Sequence, residues 1–381
     1  MDFELDSGQR QLQDAARRLS DGVLKPLLAE HAPDRPLPKS AMLKIFATLA
    51  DFGLTGARVP VEAGGSGLAA LDYAIVFEQL PPVIALALIA HEGTASRLYA
   101  SGAAQSFPDI FHSLLAGTSI ACTASTEPTT GSDPRSIKLK VSASDDPGFV
   151  TLSGTKQWIT NGTVADFALV TGRSGHDGEL QRYLVDRAES PFVATEIDCI
   201  GLRQGHLSEL SFNQVRVPRG NAVGNDNSTM KTLTLAWLTN RPLLGLLALA
   251  AAQRARDIAL EHVRERAQFG APLARKQLVQ ESLVDIDASV QSARLLCLSA
   301  LHAIDRGRAT QSLSAMAKRQ AVSVAERAAS LAMRLCGAMG LATETGIERE
   351  VRDIRMITIP DGTYEILTLI AGREITGESA L

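Results

Sequence analysis

The feature that most limits the possible folds of this 381-residue chain is its hydrophobic spacing, which changes twice. Apolar residues recur at helical spacing over residues 1–117, alternate with period two over 118–227, and return to helical spacing over 228–381. The sequence therefore predicts an α+β protein with an N-terminal helical domain, a central antiparallel β-barrel or sandwich domain and a C-terminal four-helix bundle, divided at those positions.

The patterns also predict individual elements. Ile137–Val141 and Phe149–Ser153 alternate apolar and polar residues, and Asp-Pro-Gly, Asn-Gly and Pro-Arg-Gly breaks separate such runs. This spacing predicts roughly seven short strands. In the C-terminal part, helices are predicted over Met230–Arg266, Gln277–Arg306, Thr310–Leu335 and Tyr364–Glu374.

The glycine-rich segment Arg58–Leu68 has two interpretations. Its glycines are compatible with a phosphate-binding loop, but no clear strand precedes it and no Lys-Ser or Lys-Thr pair follows it. We therefore predict a turn between two helices.

Composition limits the possible partners and the compartment. The net charge of −4 gives no reason to expect nucleic acid or an anionic membrane surface as a partner. The apolar stretch Leu243–Ala252 is too short to span a bilayer, and the N-terminus has no signal-peptide apolar region. Four widely separated cysteines form no Cys/His cluster, so we expect buried reduced thiols and no metal site. These features favour a cytoplasmic protein.

Two segments of the strand region carry the strongest chemical signal. Thr126–Asp133 reads Thr-Glu-Pro-Thr-Thr-Gly-Ser-Asp, and Gly154–Asn161 reads Gly-Thr-Lys-Gln-Trp-Ile-Thr-Asn. Each combines turn glycines with hydroxyl and backbone donors, which suit a flavin because charge develops on its pyrimidine side during reduction. Taken alone, Trp158 and Thr160 would more simply be a core aromatic residue and a strand residue.

Further landmarks follow in order along the chain. They are Arg58-Val-Pro with the Gly-Gly-x-Gly loop, Gly201-Leu-Arg, Arg266-Ala-Gln-Phe-Gly270 with Gln277, and Arg352-Asp353 before Asp361-Gly-Thr363. Together with the two strand segments, they resemble the acyl-CoA dehydrogenase superfamily over nearly the whole chain. The resemblance implies an FAD-dependent enzyme that oxidises the α,β bond of an acyl-CoA and passes electrons to an electron-transfer flavoprotein.

The resemblance also implies how FAD is held. Trp158 would pack against the isoalloxazine and Thr160 would bond to N5. Arg266, Gln268 and Phe269 would reach the cofactor of a neighbouring subunit, which implies a homodimer or homotetramer. The full set of expected FAD contacts is Thr123, Ser125, Thr126, Ser132, Trp158, Thr160, Arg266, Gln268, Phe269, Gln277, Gly337 and Thr363.

Asp361 is the candidate catalytic base. It stands where the family carries a glutamate, and its side chain is shorter by one C–C bond, about 1.5 Å. Some relatives place the base where this chain has Asn240, which cannot accept the proton. Arg241 matches a family arginine and would orient Asp361. Without the resemblance, Asp361 would be an ordinary turn residue in Pro-Asp-Gly-Thr.

Departures from the family pattern leave other functions open. Arg334 replaces a common glutamine near the adenosine site, Glu365 replaces another glutamine, and Leu238 replaces an acidic residue near the carrier end of a bundle helix. The alternatives are an enzyme that acts on carrier-protein thioesters, a nitroalkane-oxidase-like enzyme with an aspartate base, and a non-catalytic subunit of a hetero-oligomer. The sequence does not define the length or branching of the acyl group.

Overall fold

The computed structural model describes residues 4–174, 178–224 and 229–380. The predicted order of helices, strands and helices is confirmed. The N-terminal helices are α1 (Ser7–Leu19), α2 (Lys25–Ala29), α3 (Lys39–Asp51), α4 (Ala70–Phe77), α5 (Pro82–Ala100) and α6 (Pro108–Leu115). The glycine-rich segment connects α3 and α4, as predicted. The domain boundary predicted at 227/228 lies outside the described residues, and both boundaries remain predictions.

The central sheet has seven strands among the described residues. They are β1 (Ala121–Ala124), β2 (Lys140–Ala143), β3 (Phe149–Thr160), β4 (Phe167–Ser174), β5 (Leu180–Asp186), β6 (Val193–Glu196) and β7 (Leu207–Pro218). The strand order is β1-β4-β2-β3-β7-β6, with β5 paired to β4.

One detail of the predicted sheet was wrong, because the sheet is mixed rather than wholly antiparallel. Strands β1 and β2 both pair with β4 in parallel, whereas the other pairings are antiparallel. Alternation of apolar and polar residues is the same in parallel and antiparallel strands, so the sequence pattern does not distinguish them.

The C-terminal part contains the four predicted helices. Each begins and ends within two residues of the predicted positions. They are α7 (Thr229–Glu265), α8 (Gln277–Asp305), α9 (Gln311–Leu335) and α11 (Tyr364–Thr376). A short hairpin of β8 (Ala267–Gln268) and β9 (Ala271–Pro272) follows α7. The helix α10 (Ile347–Ile357) was not predicted. One of its faces is buried and carries Ile347, Ile354 and Ile357.

Small residues allow the bundle helices to pack closely. A Cβ added at Gly245 on α7 would lie 2.9 Å from Ala321 Cβ on α9 and 2.9 Å from Cys297 Sγ on α8. Protein interiors are close-packed, so a larger residue at this position would force the helices apart.

The N-terminal helices and the bundle share one hydrophobic core, while the sheet encloses a second. Helix α7 is central to the shared core. Its segment Thr234–Glu265 is long and apolar enough to cross a membrane, but 72% of its most apolar 18-residue window is buried inside the protein. Apolar residues around the whole helix are also typical of a buried core helix.

Candidate active site

A buried ion pair joins the two strand-region motifs. Lys156 Nζ lies 2.9 Å from Glu127 Oε1 and donates to the Ser125 carbonyl at 2.8 Å. The Gln157 N–H donates to the Thr126 carbonyl at 3.0 Å. These contacts hold Ser125–Glu127 against Lys156–Thr160, and the two segments together are called the shelf below.

The ion pair of the shelf has further hydrogen-bond partners. Glu127 also accepts the N–H groups of Lys138 and Leu139, each at 2.8 Å. Burial lowers the pKa of Lys156 to about 8, although Glu127 opposes this shift. A buried pair with this many additional donors is expensive to break, because either partner alone would be an uncompensated charge.

Trp158 is presented by the shelf rather than buried in it. The residue has a left-handed backbone (φ 63°) at an irregularity of the β3–β7 pairing, and 52% of it is exposed. Thr160, two residues on, is half-buried and pairs with Leu207. Strained backbone at an exposed aromatic residue is typical of a ligand site, and a flat aromatic ring such as a flavin fits this surface.

The other predicted residues of this region differ in exposure. Thr123 Oγ1 contacts Thr94 Oγ1 at 2.9 Å, and Ser125 Oγ contacts Thr171 Oγ1 at 3.1 Å. Ser132 is exposed in the loop that follows. The hydroxyls of Thr123 and Ser125 therefore already have protein partners.

A buried lysine organises the backbone on both sides of Asp361. Lys318 on α9 donates through Nζ to the carbonyls of Thr358 (3.3 Å), Gly362 (2.8 Å) and Pro360. Residues 358–363 are called the base loop below. Burial lowers the pKa of Lys318 to about 7, with Asp361 opposing the shift. Three carbonyls around one ammonium group hold this turn in a single conformation.

Arg241 fixes the base loop from a second side. Its Nε donates to the Asp361 carbonyl at 2.9 Å, and its Nη1 donates to Gln311 Oε1 at 2.7 Å. Burial lowers the pKa of Arg241 to about 10, against the raising effect of Asp361.

The helix that carries Arg241 contains a proline at the next position, Pro242. Proline has no N–H to donate to the carbonyl of Leu238 one turn earlier. Ser314 Oγ on α9 donates to that carbonyl at 2.9 Å instead. The substitution of one donor for another keeps α7 continuous where it presents Arg241.

Asp361 itself is half-buried and has a left-handed backbone (φ 57°). Within the described residues, neither its N–H nor its carboxylate makes a hydrogen bond or ion pair. Thr363 accepts from the Ile366 N–H and caps α11. The loop is therefore fixed through its carbonyls, while the reactive groups of Asp361 remain available.

Two arginines of the N-terminal domain make polar contacts with α7 and with β1. Arg58 pairs with the buried Glu92, with Nε to Oε2 at 2.8 Å, and its Nη1 lies 3.5 Å from Asn240 Oδ1. Farther along α5, Arg97 Nη1 donates to Thr123 Oγ1 at 3.1 Å. The sequence did not predict a role for four of these side chains, those of Lys318, Arg58, Glu92 and Arg97. A charged residue within an apolar or small-residue segment was the only sequence feature that could have indicated them.

The remaining predicted residues lie on the surface of the chain. Phe269, in the β8–β9 turn, is 93% exposed with φ 52°, and Lys276 Nζ lies 5.7 Å from the centre of its ring. The exposed members of the predicted set in this region are Arg266, Gln268, Phe269, Gln277 and Gly337. They are exposed on this chain and do not form part of the shelf.

Two predicted landmarks meet below the base loop. The Leu202 N–H donates to Asp353 Oδ1 at 2.6 Å, and Arg352 Nη1 donates to the Ile200 carbonyl at 2.6 Å. Burial raises the pKa of Asp353 to about 6, while the Leu202 N–H opposes the shift. This contact joins the sheet domain to α10.

Comparison with family models gives three matches in chain order. Residues 6–106, 122–215 and 229–376 match the N-terminal, middle and C-terminal domains of acyl-CoA dehydrogenases. Among curated proteins, benzylmalonyl-CoA dehydrogenase of Aromatoleum aromaticum is 32% identical over 99% of this chain and 100% of the relative.

Solved structures give the same result. Butyryl-CoA dehydrogenase from Megasphaera elsdenii matches with a TM-score of 0.91 and 26% identity, covering 99% of this chain and 100% of that one. Glutaryl-CoA dehydrogenase from Mycobacterium smegmatis, in complex with FADH2, matches with a TM-score of 0.90 and 24% identity, covering 99% and 96%.

Proposed function

Because this chain belongs to the acyl-CoA dehydrogenase family, FAD-dependent oxidoreductases that act on CH–CH bonds, we propose that it oxidises the α,β bond of an acyl thioester with Asp361 as the base. The observation that carries the proposal is the base loop. Its carbonyls are fixed by Lys318 and Arg241, while the half-buried Asp361 carboxylate has no partner within the described residues.

The residues present fit FAD. Trp158 offers an exposed ring on a strained strand, and the adjoining Thr126 and Thr160 belong to the same shelf. These residues would hold the isoalloxazine. When bound, FAD supplies the acceptor for the hydride that leaves the β-carbon.

Asp361 performs the proton chemistry in this proposal. Its carboxylate takes the proton from the α-carbon, and its own N–H donates to the thioester oxygen, where negative charge develops. The fixed carbonyls hold both groups in place during the reaction. Positioning matters because an error of about 1 Å can reduce the rate on the order of 100-fold. The short aspartate requires a substrate that lies close to the loop.

We further propose that the active form is a homodimer or homotetramer. Phe269, Leu278 and Val284 are 93%, 76% and 65% exposed on the β8–β9 hairpin and α8. Exposed apolar residues of this size favour a protein partner. Arg266, Gln268 and Phe269 would then contact FAD of the neighbouring subunit, while Gln277 and Gly337 would hold the adenosine half.

The remaining parts of the proposal concern partners. The electron acceptor is an electron-transfer flavoprotein, as the resemblance implies, and the acyl carrier is CoA. The location is cytoplasmic, with neither membrane nor nucleic acid as partner.

Anaerobic titration tests the function. Purified protein with bound FAD is mixed with a panel of acyl-CoA esters, and the flavin absorbance is followed; we expect at least one ester to bleach it. The same titration is made with carrier-protein thioesters. If only these bleach the flavin, the acyl carrier is a carrier protein and not CoA. Hydrogen peroxide formation from a nitroalkane would favour an oxidase. A colourless protein that copurifies with a homologous chain would favour the non-catalytic subunit. Light scattering with FAD quantification tests the oligomer.

A further inference from the structure

The buried and half-buried groups near the base loop include more cationic side chains than carboxylates. The cations are Arg58, Arg97, Arg241 and Lys318, and the carboxylates are Glu92 and Asp361. Arg241 and Lys318 are bound by neutral carbonyl and amide oxygens. Only Arg58 has a carboxylate in direct contact, and the two carboxylates balance only part of the positive charge of the four cations.

Arg97 is the guanidinium with the fewest partners in this group. Its Nη1 donates to the neutral hydroxyl of Thr123, and its buried Nε has no hydrogen-bond partner within the described residues. None of the ion pairs in the described part of the chain includes Arg97. Burial lowers the pKa of Arg97, and Asp361 opposes this shift. A buried guanidinium nitrogen without an acceptor is costly to maintain unless a ligand supplies one.

Arg97 and Arg58 approach one another across a bare glycine. A Cβ added at Gly93 on α5 would lie 3.0 Å from Arg97 Nη1 and 3.9 Å from Arg58 Nη2. Both guanidinium groups therefore lie against α5 at Gly93, and a larger residue at this position would press on Arg97 Nη1.

The two arginines lie near both the base loop and the strand before the shelf. Arg58 reaches Asn240, whose neighbour Arg241 holds the Asp361 carbonyl. Arg97 reaches Thr123 on β1, the strand that leads into the shelf. An acyl group bound between the shelf and the base loop would therefore lie near these two arginines.

We propose that Arg97 and Arg58 form an anion subsite for a carboxylate on the acyl group, so that the substrate is a carboxyacyl thioester rather than a simple fatty acyl thioester. This inference rests on the proposed function. A carboxylate matches the fork of donors that a guanidinium presents. A purely apolar acyl chain would instead leave the buried Nε of Arg97 unsatisfied.

Paired CoA esters of equal carbon number test the proposal. Succinyl-CoA is compared with butyryl-CoA, and glutaryl-CoA with pentanoyl-CoA, by calorimetric binding to the FAD-loaded protein and by anaerobic flavin bleaching. For at least one pair, we expect the carboxylated ester to bind roughly 10- to 100-fold more tightly than its neutral counterpart, the range for a charge-assisted hydrogen-bond pair.

Variants assign the preference to Arg97. Arg97→Met should remove the preference while leaving binding of butyryl-CoA within about 3-fold. Arg97→Lys keeps the charge without the fork of donors and should retain part of the preference, which preserves the test if the methionine variant does not fold. Arg216→Met, at an exposed arginine of β7, is the matched control and should change the binding affinity of neither ester.

Three results would overturn the proposal. One is equal or tighter binding of the neutral ester in both pairs of the unmodified protein. Another is a preference that survives in both Arg97 variants. The third is an Arg97→Met variant that folds but loses FAD or weakens both esters equally, which would assign the arginine to the cofactor or to the fold. Failure of the proposed function is separable, because then no thioester bleaches the flavin, whatever its charge.

Discussion

The shelf and the base loop are the two parts of the candidate site, and they are fixed in different ways. The shelf is held by a buried ion pair, Lys156 with Glu127, whose members are 29 residues apart. The base loop is held by cations that bind backbone carbonyls, Lys318 at 44 residues from Gly362 and Arg241 at 120 residues from Asp361.

The difference separates two tasks. In the shelf, side chains neutralise each other and leave an aromatic ring exposed, which suits binding of a large flat cofactor. In the base loop, cations bind only carbonyls, so the carboxylate and N–H of Asp361 stay available for chemistry. We therefore expect damage to the shelf to reduce FAD content and stability, and damage to the base loop to reduce the rate.

The largest effect is expected from removing the base. Asp361→Asn keeps the size and the backbone N–H but cannot take the α-proton, so the rate of anaerobic flavin bleaching should fall by about 10²- to 10⁴-fold. FAD content should be unchanged. Asp361→Glu is the matched control and should retain measurable bleaching. An asparagine variant within a few-fold of the unmodified rate would remove Asp361 from its proposed role.

The shelf is tested by Lys156→Met. The change leaves Glu127 without its buried partner and should lower the free energy of unfolding by about 3–5 kcal/mol, measured by urea denaturation. The amount of FAD bound per protein chain should fall as well. Lys140→Met, at an exposed position of β2, is the control. Unchanged stability and FAD content in the Lys156 variant would show that the buried ion pair does not hold the shelf for FAD binding.

The base loop is tested by Lys318→Met, which removes the donor to three carbonyls. Misplacement of Asp361 should reduce the bleaching rate on the order of 100-fold. The folded fraction should retain its FAD, unlike the Lys156 variant. Arg327→Met, at an exposed position of the same helix, serves as the control. If Lys318→Met lost FAD but kept its rate per bound flavin, the proposed division of tasks would be wrong.

The smallest effect concerns Asp353, at the contact between the sheet domain and α10. Because folding raises its pKa from 3.8 to about 6, the folded protein binds this proton more tightly, and stability falls as pH rises through that window. Asp353→Asn keeps an acceptor for the Leu202 N–H but does not titrate. The variant should therefore not lose stability as the pH rises.

The Asp353 comparison is made by denaturation at several pH values. The two proteins should differ little near pH 4, and the variant should be more stable at pH 7 by up to about 3 kcal/mol. Parallel pH profiles for the two proteins would show that Asp353 does not titrate in this range.

Much of the fold was predictable because its signals are local. The ends of α8 and α9 matched within one residue, since apolar spacing and flanking residues mark a helix along the chain itself. The parallel pairing of β1 with β4 was not predictable, because alternation does not reveal strand direction. Helix α10 was not predicted, although Ile347, Val351 and Ile354 recur at helical spacing along its sequence.

By itself, the sequence determined the three-part architecture, the family and the residues that make up the shelf motifs. These depend on periodicity and on contiguous segments, which are visible in one dimension. The sequence also pointed to Arg241 as a residue beside Asp361. Only the tertiary structure decided that Lys318 binds the carbonyls of the base loop, and that Arg58 and Arg97 approach one another at Gly93. Side chains from distant segments come together only through helix packing, and a charge in a sequence does not reveal which buried groups will surround it.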